Sequence, residues 1–170
     1  MRPWISARVV DGVHGAAEFE QYGRRFRFDC DEAHERGGSE AGPSPMRYLL
    51  ASIAFCSQGW IAKSILERGV PARVAGVDVR TILDMGGELG VPGATVYPPW
   101  FVVDVRIEDA RGADPDALVL AVQHGVEHCP ITSLVLQSVP VHLVVRTDDD
   151  VVLDDRPRDV VRADSTPVSR

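Results

Sequence analysis

Residues 44–68, SPMRYLLASIAFCSQGWIAKSILER, decide the fold of this chain. Ser44 followed by Pro45 is a helix start, because serine accepts hydrogen bonds from the first free N–H groups and proline fits the first turn. From Met46 to Leu66 apolar residues fall on nearly every side, and Glu67-Arg68-Gly69 supplies the stop. A helix that is apolar all round is a buried helix. One small protomer is short of surface to cover it, so a dimer that wraps it is the simplest arrangement.

The segments on either side read as its cover. Upstream, the patterning predicts strands over Ile5–Val10, Ala16–Gln21 and Arg24–Cys30, with Phe26, Phe28 and Cys30 alternating with Arg25, Arg27 and Asp29. Asp11-Gly12 and Tyr22-Gly23 are the turns, and a polar, glycine-rich loop runs from Asp31 to Pro43. Downstream, a strand is expected over Ala72–Leu83, then a Gly- and Pro-rich loop over Met85–Pro99. Phe101, Val103, Val105 and Ile107 then alternate with charged residues as a half-buried strand. Asp114-Pro115 opens a second helix, with Leu118, Val122 and Gly125 on one face, which Pro130 terminates. A short helix over Pro130–Leu136 and a strand over Val139–Arg146 complete the pattern. The order βββ-α-ββ-α-β makes an α+β domain, an antiparallel sheet wrapped around a buried central helix, over residues 1–147. The C-terminal tail, 148–170, alternates acidic pairs with arginine and is expected to be partly disordered.

Composition bounds the function. The 170 residues are 45% hydrophobic and 25% charged, an ordinary single-domain balance. A net charge of -7 argues against nucleic acid and anionic membrane surfaces as partners. No run approaches ~20 uninterrupted apolar residues and the N-terminus lacks a signal-peptide design, so a cytoplasmic protein is expected. In a reducing compartment three cysteines point to transient, catalytic pairing rather than a structural framework.

Two of those cysteines carry the chemistry. Cys56 lies deep in the apolar helix. It is either a small core hydrophobe or a nucleophile, and the second role needs a partner that stabilises thiolate, because desolvation alone raises a thiol's pKa. Cys129, in His128-Cys129-Pro130-Ile131, sits where one helix ends and another begins, two environments with opposite effects on a thiolate. Cys30, on a strand end, reads as a spectator. His124-Gly-Val-Glu-His128 matches an inverted zinc-peptidase pattern, but Gly125 and Pro130 weaken its helix, and no metal is expected. The loop 37–43 lacks the Gly-Lys-Ser/Thr ending of a phosphate cradle, and no nucleotide is expected either.

Taken together, Gly37-Gly-Ser-Glu-Ala-Gly-Pro-Ser-Pro-Met46, the apolar helix carrying Cys56, and Cys129-Pro130-Ile131 resemble the OsmC/Ohr superfamily, the osmotically inducible and organic hydroperoxide resistance proteins, from Ile5 to Arg146. The resemblance implies an OsmC-like intertwined homodimer with two central helices, active sites at the subunit interface, and a peroxiredoxin-like reaction. In that reaction Cys56 would attack an organic hydroperoxide and become a sulfenic acid, and Cys129 would condense with it to a disulfide. A dithiol reductant, dihydrolipoyl groups in the Ohr branch, would restore the pair by exchange. No metal or organic cofactor is implied. Family peroxidases place a glutamate after the proline that starts the helix and an arginine in the first hairpin. Here Met46 and Arg47 follow Pro45, and the hairpin reads Gly12-Val13-His14-Gly15. His14 and Arg47, the latter only across a dimer, are therefore the candidate activating or binding groups. The competing reading keeps the fold and makes the chain a non-peroxidatic protein that binds an apolar small molecule at the dimer interface.

Overall fold

The structure, a computed structural model, describes residues 3–148 and 150–165. The chain forms two compact units, Met1–Leu50 and Ala51–Arg170.

In the first unit β1 (Ser6–Asp11), β2 (His14–Gln21) and β3 (Arg24–Cys30) form an antiparallel sheet in that order. Tyr22 and Gly23 both have positive φ, 55° and 68°, the backbone of a two-residue hairpin that matches the twist of its strands. One face carries an aromatic row. Phe19 lies 5.3 Å from Phe26 and 5.5 Å from Phe28, and Phe28 lies 5.7 Å from Tyr48, whose hydroxyl donates to the Asp29 carbonyl. The loop after β3 is organised by buried Asp31, which accepts from the N–H groups of Glu32, Ser39 and Ala41 and from the Ser39 hydroxyl. Those bonds, the Ala41 N–H first, hold its carboxyl far below the usual range. The loop leads to α1 (Pro45–Glu67), which begins in this unit and runs on through the second.

The second unit adds β4 (Arg73–Arg80), a short α2 (Met85–Glu88), β5 (Phe101–Glu108), α3 (Pro115–His128), α4 (Pro130–Leu136), β6 (Val141–Arg146), β7 (Val151–Asp154) and α5 (Arg158–Asp164). Its sheet has the order β4-β5-β6-β7. The β4–β5 and β6–β7 pairs are antiparallel, as the sequence suggests, whereas β5 and β6 are parallel. The chain between those two strands returns through α3 and α4, and a helical crossover is what parallel neighbours require.

Two expectations are corrected here. Residues past 147, expected to be partly disordered, contribute β7 and α5, so the folded part extends through Asp164; residues 166–170 of that segment lie outside the described residues. The cause is an apolar set spaced among the charges. Val160 of α5 fills a cluster with Trp100, Val102 and Val144, a burial contributing about 1.5 kcal/mol or more. Around it Arg80 Nε donates to Asp164 at 2.8 Å and Arg146 Nε to Asp104 at 3.0 Å, and Arg156 Nη1 reaches Asp164 at 2.6 Å. For the same reason β5, read as half-buried, is buried from Phe101 to Val105: α5 and these arginines cover the face that carries Val102 and Asp104.

Within the chain α1 buries one face only, Ile53, Ser57, Ile61, Ser64 and Ile65. On the other side Phe55 is 74% exposed and Leu66 79%; eleven residues apart, they lie on one stripe of the helix. Its length and mean hydropathy of 1.4 are also those of a membrane span.

The buried face meets α3 at Gly125. A Cβ there would stand 2.5 Å from Ile61 Cα and 2.7 Å from Ile61 N, closer than van der Waals contact allows, and the obstacle is backbone that cannot rotate aside. Gly125→Ala is therefore expected to force the two helices apart and cost about 1–3 kcal/mol, read as a lower midpoint of urea unfolding. An unchanged midpoint would show that the helices are not in contact at this point.

Candidate active site

The contact between Gly125 and Ile61 sets the register of the two helices. They run in opposite senses here, so one turn further along α3 and one turn back along α1 come Cys129 and Ser57. About one turn the other way along α1, Ser64 Oγ lies 3.4 Å from Nδ1 of His124, the residue before Gly125. Pro130 disfavours a helical conformation at Cys129, which is extended at φ -72°, ψ 113° and serves both as C-cap of α3 and N-cap of α4. That kink lays the first turn of α4 across the Cys56-Ser57 step of α1. Cys56 and Cys129, the two residues assigned chemistry from the sequence, are brought close enough for each to shift the other's titration. Both are free thiols.

Three further groups join them. Thr132 donates to Cys129 Sγ from its hydroxyl at 3.2 Å and from its N–H at 3.4 Å. Ser57 Oγ lies 2.9 Å from Thr132 Oγ1 and 3.9 Å from the sulfur. The N–H of Ile131 serves Cys56. Cys129, Ser57 and Thr132 are all 0% exposed, and Cys56 is partly exposed.

The two sulfurs titrate as one pair. Burial pushes the Cys56 thiol up, the hydrogen bond with Cys129 adds to that, and the Ile131 N–H opposes them. At Cys129 burial also raises the pKa, but the bonds from Cys56, Thr132 and Ser57 outweigh it and the net shift is down. Of the two sulfurs, Cys129 is the one on which these contacts favour negative charge.

His14 and Arg47 belong to the N-terminal unit: His14 Nε2 pairs with Asp29 at 3.3 Å, and Arg47 is an exposed residue of the first turn of α1. Cys30 is in that unit too, its thiol raised by burial and then by Glu32 and Asp31. His124 and His128 stack at 3.9 Å, and His128 Nδ1 bonds the His124 carbonyl. Among the described residues no three His, Cys, Asp or Glu side chains cluster as metal ligands do. Sequence reasoning missed Ser57 and Thr132. Their signal was present: Ser57 adjoins Cys56, and Thr132 lies three residues after the N-cap Cys129, where its N–H meets the cap.

The family model described as OsmC-like protein matches residues 37–144, over half of the chain, including α1, Cys56, Cys129 and strands β4 and β5. This chain belongs to the OsmC-like family. Solved structures agree with that assignment at the level of fold. An OsmC-like protein from Mycoplasma pneumoniae superposes with a TM-score of 0.70 at 12% identity, over 86% of this chain and 97% of that one. An organic hydroperoxide resistance protein from Elizabethkingia anophelis gives 0.63 at 13%, covering 87% and 99%. The organic hydroperoxide resistance protein OhrB of Bacillus subtilis gives 0.56 at 18%, covering 86% and 98%. No curated protein matches the chain.

The exposures and the direction of the Cys56 shift give this OsmC-like protein a labelling pattern. A thiol whose folded pKa is raised holds less thiolate at a given pH, so alkylation of Cys56 is expected to be slow near neutrality and to climb as pH passes about 8.5. Cys129 is expected to stay unlabelled until the protein is denatured, as read by peptide mass spectrometry. Equal labelling of both in the folded protein would contradict this geometry.

Proposed function

We propose that this OsmC-like protein is a thiol-dependent hydroperoxide reductase that works as a homodimer. The observation that supports it most is the contact between Cys56 and Cys129, two reduced thiols from distant parts of the chain meeting at the start of α4. Cys56, the more exposed sulfur, attacks the distal oxygen of an organic hydroperoxide. The O–O bond breaks, the alcohol leaves, and Cys56 becomes a sulfenic acid. Cys129 then attacks the Cys56 sulfur, expelling the hydroxyl group and closing a disulfide. A dithiol, of which a dihydrolipoyl group is one form, returns two electrons by exchange and leaves as its own disulfide. The membership of organic hydroperoxide resistance proteins among the structural neighbours is consistent with this class of substrate. The open stripe of α1 at Phe55 and Leu66 is read as the surface a second copy covers, which makes α1 a core helix rather than a membrane span.

The competing role, binding of an apolar small molecule, has one observation in its favour. A cavity of about 640 Å³ in the N-terminal unit is lined by Pro3, Trp4, Ile5, Phe19 and Phe28 among others. Turnover of an alkyl hydroperoxide with dihydrolipoamide as reductant separates the two. Cys56→Ser is expected to fall to the uncatalysed background, Cys129→Ser to consume one equivalent and stop, and Cys30→Ser to match the unmodified protein. A Cys56→Ser protein with full activity would overturn the role given to Cys56, and no turnover above background in the unmodified protein would sink the reductase reading and leave the binding one.

A further inference from the structure

The hydroxyls around Cys129 have one proton each, and that limits how they can be arranged. The 2.9 Å contact between Ser57 Oγ and Thr132 Oγ1 uses one of the two protons. If Ser57 donates to Thr132, the Thr132 proton is free to meet Cys129 Sγ at 3.2 Å; if Thr132 donates to Ser57, the Ser57 proton is left for the sulfur at 3.9 Å. In either orientation a hydroxyl proton is directed at Cys129, and the shorter contact selects the relay from Ser57 through Thr132 to the sulfur. The Thr132 N–H adds a second donor at 3.4 Å. At Cys129 Sγ, among the described residues, each of these bonds is one that the sulfur accepts, in a site that admits no solvent. Burial disfavours charge on this sulfur, but a sulfur that accepts from each of these groups suits an anion better than a thiol, and the donors outweigh the burial.

The groups facing Cys129 come from two elements, Cys56 and Ser57 from α1 and Thr132 from α4. In the last turn of α3, Glu127 and His128 are exposed, and His128 is held on the His124 carbonyl. Among the described residues, no basic side chain stands with the groups that shift either sulfur.

Resting on the reductase reading, we propose that Ser57 and Thr132 are positioning residues that make Cys129 the thiolate of the resting pair, and that Cys129 takes up the proton Cys56 loses when it attacks. The balance is complete without another base. The Cys56 S–H passes its proton to Cys129, and the Cys56 thiolate attacks the hydroperoxide and releases an alkoxide. The Cys129 S–H protonates that alkoxide to the alcohol, and Cys129, a thiolate again, attacks the sulfenic acid and expels hydroxide. One residue is thus base, acid and resolving nucleophile in turn.

The test is the thiolate ultraviolet absorbance of the reduced protein against pH, in a Cys30→Ser background and with no peroxide present. One thiolate is expected to titrate below about 8.5, the free-thiol value. That titration should persist in Cys56→Ser and vanish in Cys129→Ser. Thr132→Val should raise its midpoint by about one pH unit or more, Ser57→Ala by less, and Thr132→Ser should restore it. The pH at half-maximal rate of a single turnover should move with that midpoint. A titration that vanishes in Cys56→Ser and persists in Cys129→Ser overturns the proposal, as does an unmoved midpoint in both Thr132→Val and Ser57→Ala. Absent hydroperoxide consumption in the parent protein would fell the reductase reading and the proton transfer with it, while the titration would still identify which sulfur holds the charge.

Discussion

At Gly125 the α3 backbone approaches α1 more closely than a methyl group would allow, and the placing of the two cysteines depends on that approach. With Ile61 fixed opposite Gly125, the helical repeat sets Cys129 opposite Ser57 one turn away, and Pro130 bends the chain so that the first turn of α4 crosses the same point. The glycine that weakens α3 as an isolated helix is thus the residue that lets it close on its neighbour. Packing forces decide the geometry, and the chemistry inherits it.

Among the described residues, the groups that shift the two sulfurs are neutral ones and the sulfurs themselves. An arginine beside a thiol stabilises thiolate through charge at a distance, whereas hydroxyl and amide donors act only at contact and only if held in place. Ser57 and Thr132 are held, both wholly buried and bonded to each other. Burial has opposite consequences for the two sulfurs. At Cys56 it adds to the hydrogen bond that this thiol gives to its partner and keeps the proton on; at Cys129 the donors exceed it. The asymmetry follows from how many donors face each sulfur.

Much of this was legible from the residues. Ser44-Pro45 and Glu67-Arg68-Gly69 bracket α1, and the alternation at Arg24–Cys30 marks β3, because local capping and period-2 patterning act within a few residues. Cys56 and Cys129 stood out from the residues as the candidate pair, and the structure brings them near each other. The C-terminal elements were not legible, because β7 and α5 are stabilised by partners far away in sequence, Trp100, Val102 and Val144 for Val160, and Arg80 for Asp164. Ser57 and Thr132 are marked in the sequence only by their places beside the two cysteines, and the bond that joins them links residues far apart in the chain.

The central claim is that Cys56 and Cys129 exchange a proton pair for a disulfide when a hydroperoxide arrives. Peptide mapping by mass spectrometry after one equivalent of an alkyl hydroperoxide, added to fully reduced protein, tests it most directly. The account predicts a single cross-linked species joining the peptides of Cys56 and Cys129, with Cys30 still a free thiol. Cys56 carried on to sulfinic acid beside an unchanged Cys129, or a cross-link through Cys30, would contradict it.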